Sequence, residues 1–236
     1  MSSGRQPLSD QNLKEIDAKF SDCHKVVKGA FSRALNIFTS PNFESRVGWK
    51  LETEQEDAAV HSIRLDEDGR QLFSVRGILE CSPEMAVSDC WDGLDGVSSW
   101  NKNIDFSRRL LKVRDDFDIV HYGNAPILFV SARDYLVGRI CREIDDVHYI
   151  VAHSIEGPDL PSSNGRVRAT IHLGGGRYSA HPSDPNRTKI DFLLSLDYGG
   201  MFPSSIINSV MGRLFLKEFN ENKKRSIVLR TMSKNT

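Results

Sequence analysis

After Trp100 the chain passes through seven strand-length runs in succession. They are Phe106 to Val113, Phe117 to Tyr122, Asp134 to Ile144, His148 to Ile155, Arg166 to Leu173, Arg177 to Ala180 and Lys189 to Tyr198. Turn signals separate them: "RDDFD", Asp145-Asp146, "PDLPSSNG", "GGG" and "PSDPN". Consecutive strands joined by short turns imply an antiparallel sheet. Three more runs come earlier, Trp49 to Glu54, Val60 to Leu65 and Gln71 to Ile78, and an Asp68-Gly69 turn makes a hairpin of the last two.

Helical spacing lies at the ends and in the middle. Leu13, Ile16, Phe20, Val27, Phe31 and Leu35 recur at helical spacing from Ser9 to Asn36, and "SPNFES" ends that helix. Ser82 as N-cap, Pro83 at the first helical position and Glu84 in the first turn open a short helix. A long amphipathic helix runs from Pro203 to Lys224, with Ile206, Ile207, Val210, Met211, Leu214, Phe215 and Phe219 on its apolar face. The expected class is α+β, as one domain over residues 9–226, with residues 1–8 and 227–236 as tails.

A chain of 236 residues is ample for a real core, and its net charge of −1 gives no global pull toward nucleic acid. Four cysteines, Cys23, Cys81, Cys90 and Cys141, form no C-x-x-C pair, which argues against a zinc ribbon or disulfide framework and suits a reducing compartment. "MSSGRQPLSDQ" has no apolar core and reads as no signal peptide, and no window approaches a membrane span. The expected location is cytoplasmic.

Candidate chemistry is thin. "GGG", Gly174 to Gly176, reads as a plain turn, since a phosphate loop opens a helix and carries Lys-Ser/Thr. His148 and His153 are five apart, on opposite faces of a strand, and none of the seven histidines forms H-x-x-x-H, so no metal is expected. There is no G-x-S-x-G elbow, and Cys141 reads as a small core residue. No catalytic residue and no cofactor are expected. Strand parity is more informative. Ile190, Phe192, Leu194, Leu196 and Tyr198 share one face, as do Tyr135, Val137, Arg139, Cys141 and Glu143. An apolar cavity between a curved sheet and a long helix is a usual ligand site. An arginine on such a wall needs a partner, either a protein acid or a ligand's polar head.

Three blocks carry a resemblance. "ARDYLVGRICR" resembles the P-R-D-F/Y-V-x-x-R strand of the START family of lipid-transfer domains. "HPSDPNRTKIDFLLSLDYGGMFPSSIIN" resembles that family's run into its C-terminal helix, and "ILECSPEMAVSDCWD…SSWN" its second helix. The resemblance spans nearly the whole chain. It implies a helix-grip fold, a curved antiparallel sheet wrapped around the C-terminal helix and enclosing a lipid tunnel. The implied wall comprises Trp100, Tyr122, Tyr135, Val137, Arg139, Cys141, His181, Phe192, Leu194, Ile207, Met211 and Leu214. The loop "GNAPILFVS" matches the family's gating loop, so Ile127, Leu128, Phe129 and Val130 would cover the ligand and touch a membrane during exchange.

The resemblance has departures. Sterol-binding members pair the arginine with an acid on the preceding strand, where "IVHYG" offers none. Choline-phospholipid binders can carry a basic residue before the tryptophan, where Val97-Ser98-Ser99 stands. Trp100 is followed by Asn101 rather than Asp, and Phe202-Pro203 replaces W-P. The implied function is non-catalytic binding of one lipid and its transfer between membranes, by a monomer in transient peripheral contact with them. A phospholipid is favoured over a sterol or sphingolipid, because an unpaired Arg139 suits a phosphate. The alternatives are a lipid-sensing scaffold that regulates a partner and a helix-grip enzyme.

Overall fold

The Asp68-Gly69 hairpin forms as expected. Gly69 takes a left-handed backbone (φ +66°), and the Asp68 carboxylate accepts the Arg70 N–H at 3.0 Å. It joins β2 (Ala58–Arg64) to β3 (Gln71–Leu79), with β1 (Lys50–Gln55) outside β2. The fold, taken from a computed structural model, is described for residues 10–126, 131–157, 159–163, 165–200 and 204–233. The later strands are β4 (Ile104–Arg114), β5 (Phe117–Asn124), β6 (Arg133–Ile144), β7 (Val147–Ser154), the short β8 (Val167–Arg168), β9 (Thr170–His181) and β10 (Asp184–Asp197). They pair in the order β1-β2-β3-β10-β9-β7-β6-β5-β4, all antiparallel, while β8 lies parallel to β6. β1 and β4 are free edges, so the sheet is open.

Helices cover both faces. On the outer face, α1 (Asp10–Lys19) and α2 (Ser21–Thr39) replace the single expected helix, with the break at Phe20 (φ −106°, ψ 16°). Val27, Phe31, Ala34 and Phe38 of α2 pack on Phe117, Ile119, Leu136, Ile140 and Tyr149. "SPNFES" does not only end the helix; Pro41–Ser45 makes one further turn, α3. On the inner face lie α4 (Pro83–Trp91), α5 (Val97–Trp100) and α6 (Ser204–Ser233). Ser82 caps α4 by accepting the Met85 N–H at 3.4 Å, as the sequence indicates. The α6 helix reaches Ser233 rather than stopping at Lys224, so residues 227–233 continue it instead of forming a tail. No glycine or proline follows Lys224 to break it, and Arg225 is tied to Asp89 at 2.6 Å.

Two glycines record close packing. A Cβ on Gly77 of β3 would collide with the Phe219 ring, so α6 lies nearly on the strand backbone. Gly174 to Gly176 is not a turn. It forms the middle of β9, paired with β7 on one side and β10 on the other. A Cβ on Gly176 would lie 2.7 Å from the Tyr178 ring, which folds back over it on the inner face. Gly176 makes room for that ring inside a continuous strand, while Gly174 and Gly175 face Ile171 and Val151.

Candidate functional site

The two periodicities that shape the site are local. On β10, residues Ile190, Phe192, Leu194, Leu196 and Tyr198 all point inward, as a period of two requires. On α6, Met211, Leu214, Phe215, Glu218, Phe219, Asn222 and Arg225 face them at spacings of three and four. Between these faces, closed by α4 and α5, lies a cavity of ≈ 320 Å³ lined mainly by apolar side chains. This is at the small end of the range for ligand pockets.

The implied wall residues separate into three groups. Trp100, Tyr122, Tyr135, Phe192, Leu194, Met211 and Leu214 line the cavity, with the Tyr122 and Tyr135 rings stacked at 4.8 Å. Val137, Arg139 and Cys141 share the inner face but do not reach the wall. His181 stands at the far end of β9, where its Nδ1 lies 3.0 Å from the Ser183 hydroxyl. The side chain of Ile207, and all of Ile127, Leu128, Phe129 and Val130, fall outside the described residues.

Arg139 departs most from expectation. It is not unpaired. Its register partner on β5 is Asp118, immediately before the "IVHYG" segment, which itself offers no acid. Arg139 Nε donates to Asp118 Oδ1 at 2.9 Å, and Nη2 to Oδ2 at 2.7 Å. The remaining donors reach the carbonyls of Cys90 (2.9 Å) and Trp91 (3.0 Å), and the guanidinium lies 4.6 Å over the Trp91 ring. Burial opposes the charge, but Asp118 overcomes it and holds the guanidinium protonated. Arg109 Nε approaches the same carboxylate at 2.8 Å. The premise for a phosphate ligand, a free arginine, therefore does not hold.

Besides Tyr122 and Tyr135, carboxylate and amide groups that were not among the implied wall residues face the cavity. Glu218 lies on its wall, with Asn101 donating to Oε1 and Asn103 Nδ2 donating to Oε2 at 2.9 Å. The available signal was its spacing, four residues after Leu214 and seven after Met211, on the apolar face of α6. Burial pushes the Glu218 carboxyl above its ordinary 4.5; the Asn103 and Asn101 amides pull it down, and Glu221 pushes it up. A raised native pKa means that the native state holds the proton longer than the unfolded chain. That contribution is present below the unfolded value of 4.5 and is lost as pH rises through the native pKa. Glu218→Gln is expected to gain stability over the unaltered protein as pH rises through that window. Urea unfolding of both proteins along a pH series checks this, and a constant difference would refute it. Burial pushes the Cys81 and Cys141 thiols up to about 11, which disfavours their thiolate forms.

Among the described residues no helix is long and apolar enough to cross a membrane. The START domain profile matches residues 31–228. The chain is 30% identical over 214 residues to steroidogenic acute regulatory-like protein 1 of Caenorhabditis elegans, covering 90% of this chain and 82% of that one. It is 24% identical over 200 residues to the mitochondrial steroidogenic acute regulatory protein of Homo sapiens, covering 83% and 68%. The fold resembles human StAR-related lipid transfer protein 5, with a TM-score of 0.77 at 18% identity, over 89% of this chain and 99% of that one. It also resembles a STAR-related lipid transfer protein of Xanthomonas axonopodis, with a TM-score of 0.63 at 19% identity, over 76% and 98%. With a profile match across most of its length and an open antiparallel sheet covered on its inner face by its last helix, this chain belongs to the START domain family.

Proposed function

We propose that the protein binds one lipid in the cavity under α6 and carries it between membranes without chemical turnover. The reading is supported by family membership and by the apolar wall that β10 and α6 build together. A neutral lipid with a small polar head, of the sterol class, fits better than a phospholipid. The observation that carries this choice is the engagement of four of the five Arg139 N–H groups by Asp118 and two backbone carbonyls, which leaves no bidentate pair for a phosphate. The modest cavity volume points the same way.

Exchange needs contact with a bilayer. Moving a lipid with on the order of 20 methylene-sized groups into water costs roughly 16 kcal/mol at ~0.8 kcal/mol each. Release into solvent at that cost is negligible, so the protein touches donor and acceptor membranes as a peripheral monomer. The segment after Asn124, "APILFV", is the contact we assign, because Asn124, directly before it in the chain, lines the cavity. The test is transfer of cholesterol between phosphatidylcholine vesicles, with bound lipid measured by native mass spectrometry. Unaltered protein is expected to retain one sterol and to transfer it. Phe129→Asp is expected to retain it but transfer roughly tenfold more slowly, since a charge at the apolar tip disfavours insertion by a few kcal/mol. Equal rates would remove the membrane role of this tip, and an empty protein would remove the sterol reading.

A further inference from the structure

Which atom receives the lipid's polar end is not answered by Arg139, which stands behind the wall. Most other polar groups on the wall are satisfied by the protein. Asp89 and Arg225 pair at 2.6 Å, and the Ser107 hydroxyl donates to the Leu94 carbonyl at 2.6 Å. Asn124 Oδ1 on the same wall is buried without a hydrogen-bond partner among the described residues but belongs to a neutral amide; Glu218 differs in being a carboxylate. Its hydrogen bonds come from neutral amides, and among the described residues no cation pairs with it. A carboxylate has about four acceptor positions, so capacity remains on the cavity side. Burial raises its pKa, the sign of a charge left short of compensation. Tyr122 and Tyr198 line the same cavity.

The sequence carries the same message. The resemblance leads one to expect Asp at position 101, and Asn stands there. An Asp would repel Glu218, whereas the Asn101 amide donates to it and holds it in place.

We infer that Glu218, positioned by Asn101 and Asn103, is the acceptor for the polar end of the bound lipid, and that it selects a head that donates a hydrogen bond, such as a hydroxyl, over an acceptor-only or anionic head. This rests on the sterol reading above and deepens it. A donor satisfies the carboxylate. A ketone in the same place sets acceptor against acceptor, and a phosphate brings like charge beside it.

The test offers the protein vesicles of phosphatidylcholine containing equal cholesterol and its 3-keto analogue, and identifies the retained lipid by mass spectrometry. Unaltered protein is expected to prefer the hydroxyl sterol by about tenfold or more, the worth of a hydrogen bond to a charged group. Glu218→Leu is expected to take both equally. Glu218→Gln supplies an N–H as well as an acceptor, so its keto sterol uptake should rise relative to the unaltered protein. Thermal unfolding confirms that each variant is folded. Equal uptake of the two sterols by unaltered protein overturns the Glu218 assignment and leaves sterol binding intact. So does an unchanged preference in Glu218→Leu. Retention of phosphatidylcholine in place of either sterol, or of no lipid, overturns both readings.

Discussion

Arg139→Ala is expected to lower the thermal unfolding midpoint by between about 6 and 20 °C. The residue is 5% exposed and Asp118 is 0% exposed, so deleting the guanidinium strands a carboxylate in the interior. Removing one partner of a buried pair costs roughly 3–5 kcal/mol, a large share of a domain's stability of about 5–15 kcal/mol. Arg109 remains beside Asp118 and limits the loss. Further damage falls on α4, because Arg139 also ties the Cys90 and Trp91 carbonyls to the sheet. Loss of lipid in this variant would follow from a loosened α4 wall, not from a lost head-group contact. Circular dichroism melts of Arg139→Ala, Asp118→Asn and the Arg139→Met/Asp118→Asn double variant check the account. The double variant is expected to lose less than the sum of the singles. A wild-type midpoint in Arg139→Ala, combined with lost lipid, would return the arginine to a ligand role.

Asp191→Ala is expected to be of similar size but to act on the other face. Asp191 is 1% exposed and accepts from Arg76 Nε at 2.6 Å, Arg177 Nη2 at 2.6 Å and Arg46 Nη2 at 3.4 Å. Glu44 is the second acid of the group. Burial works to raise its pKa, but Arg177, Arg76 and Lys189 overcome that and hold it at about 2. Without Asp191, three arginines and Lys189 face Glu44 alone, at a cost of roughly 3–5 kcal/mol. The network anchors the α2–α3 corner, where Arg177 Nη1 donates to the Phe38 carbonyl at 2.7 Å and Arg76 Nη1 to that of Glu44 at 3.3 Å. Hydrogen exchange is expected to quicken first around Phe38 to Ser45, while folded molecules keep their lipid, because the cavity lies across the sheet. Unchanged exchange there, with an unchanged midpoint, would show that the arginines find other partners.

Much of this molecule follows from patterns a few residues long. The inward set on β10, the split of β6 into Leu136 and Ile140 outward and Tyr135 and Val137 inward, the Asp68-Gly69 hairpin and the Ser82 cap are all matters of backbone period or local hydrogen bonding. Seven of the implied wall residues reach the cavity for the same reason. What escaped a linear reading depends on which residues lie opposite one another. The glycine triplet is a turn by composition and a strand interior by pairing with β7 and β10, with Tyr178 over Gly176 alone. Asp118 is 21 residues from Arg139 in sequence and directly across from it in the sheet, a match set by strand register. Glu218 meets Asn101 only because α6 crosses over the end of α5. The sequence by itself determined most of the strands and helices and their inward and outward faces, since these follow from the chain's own periodicities. Tertiary structure alone decided which charges neutralise each other and which carboxylate is left facing the cavity, since electrostatic pairing is set by distances between elements that are remote in sequence.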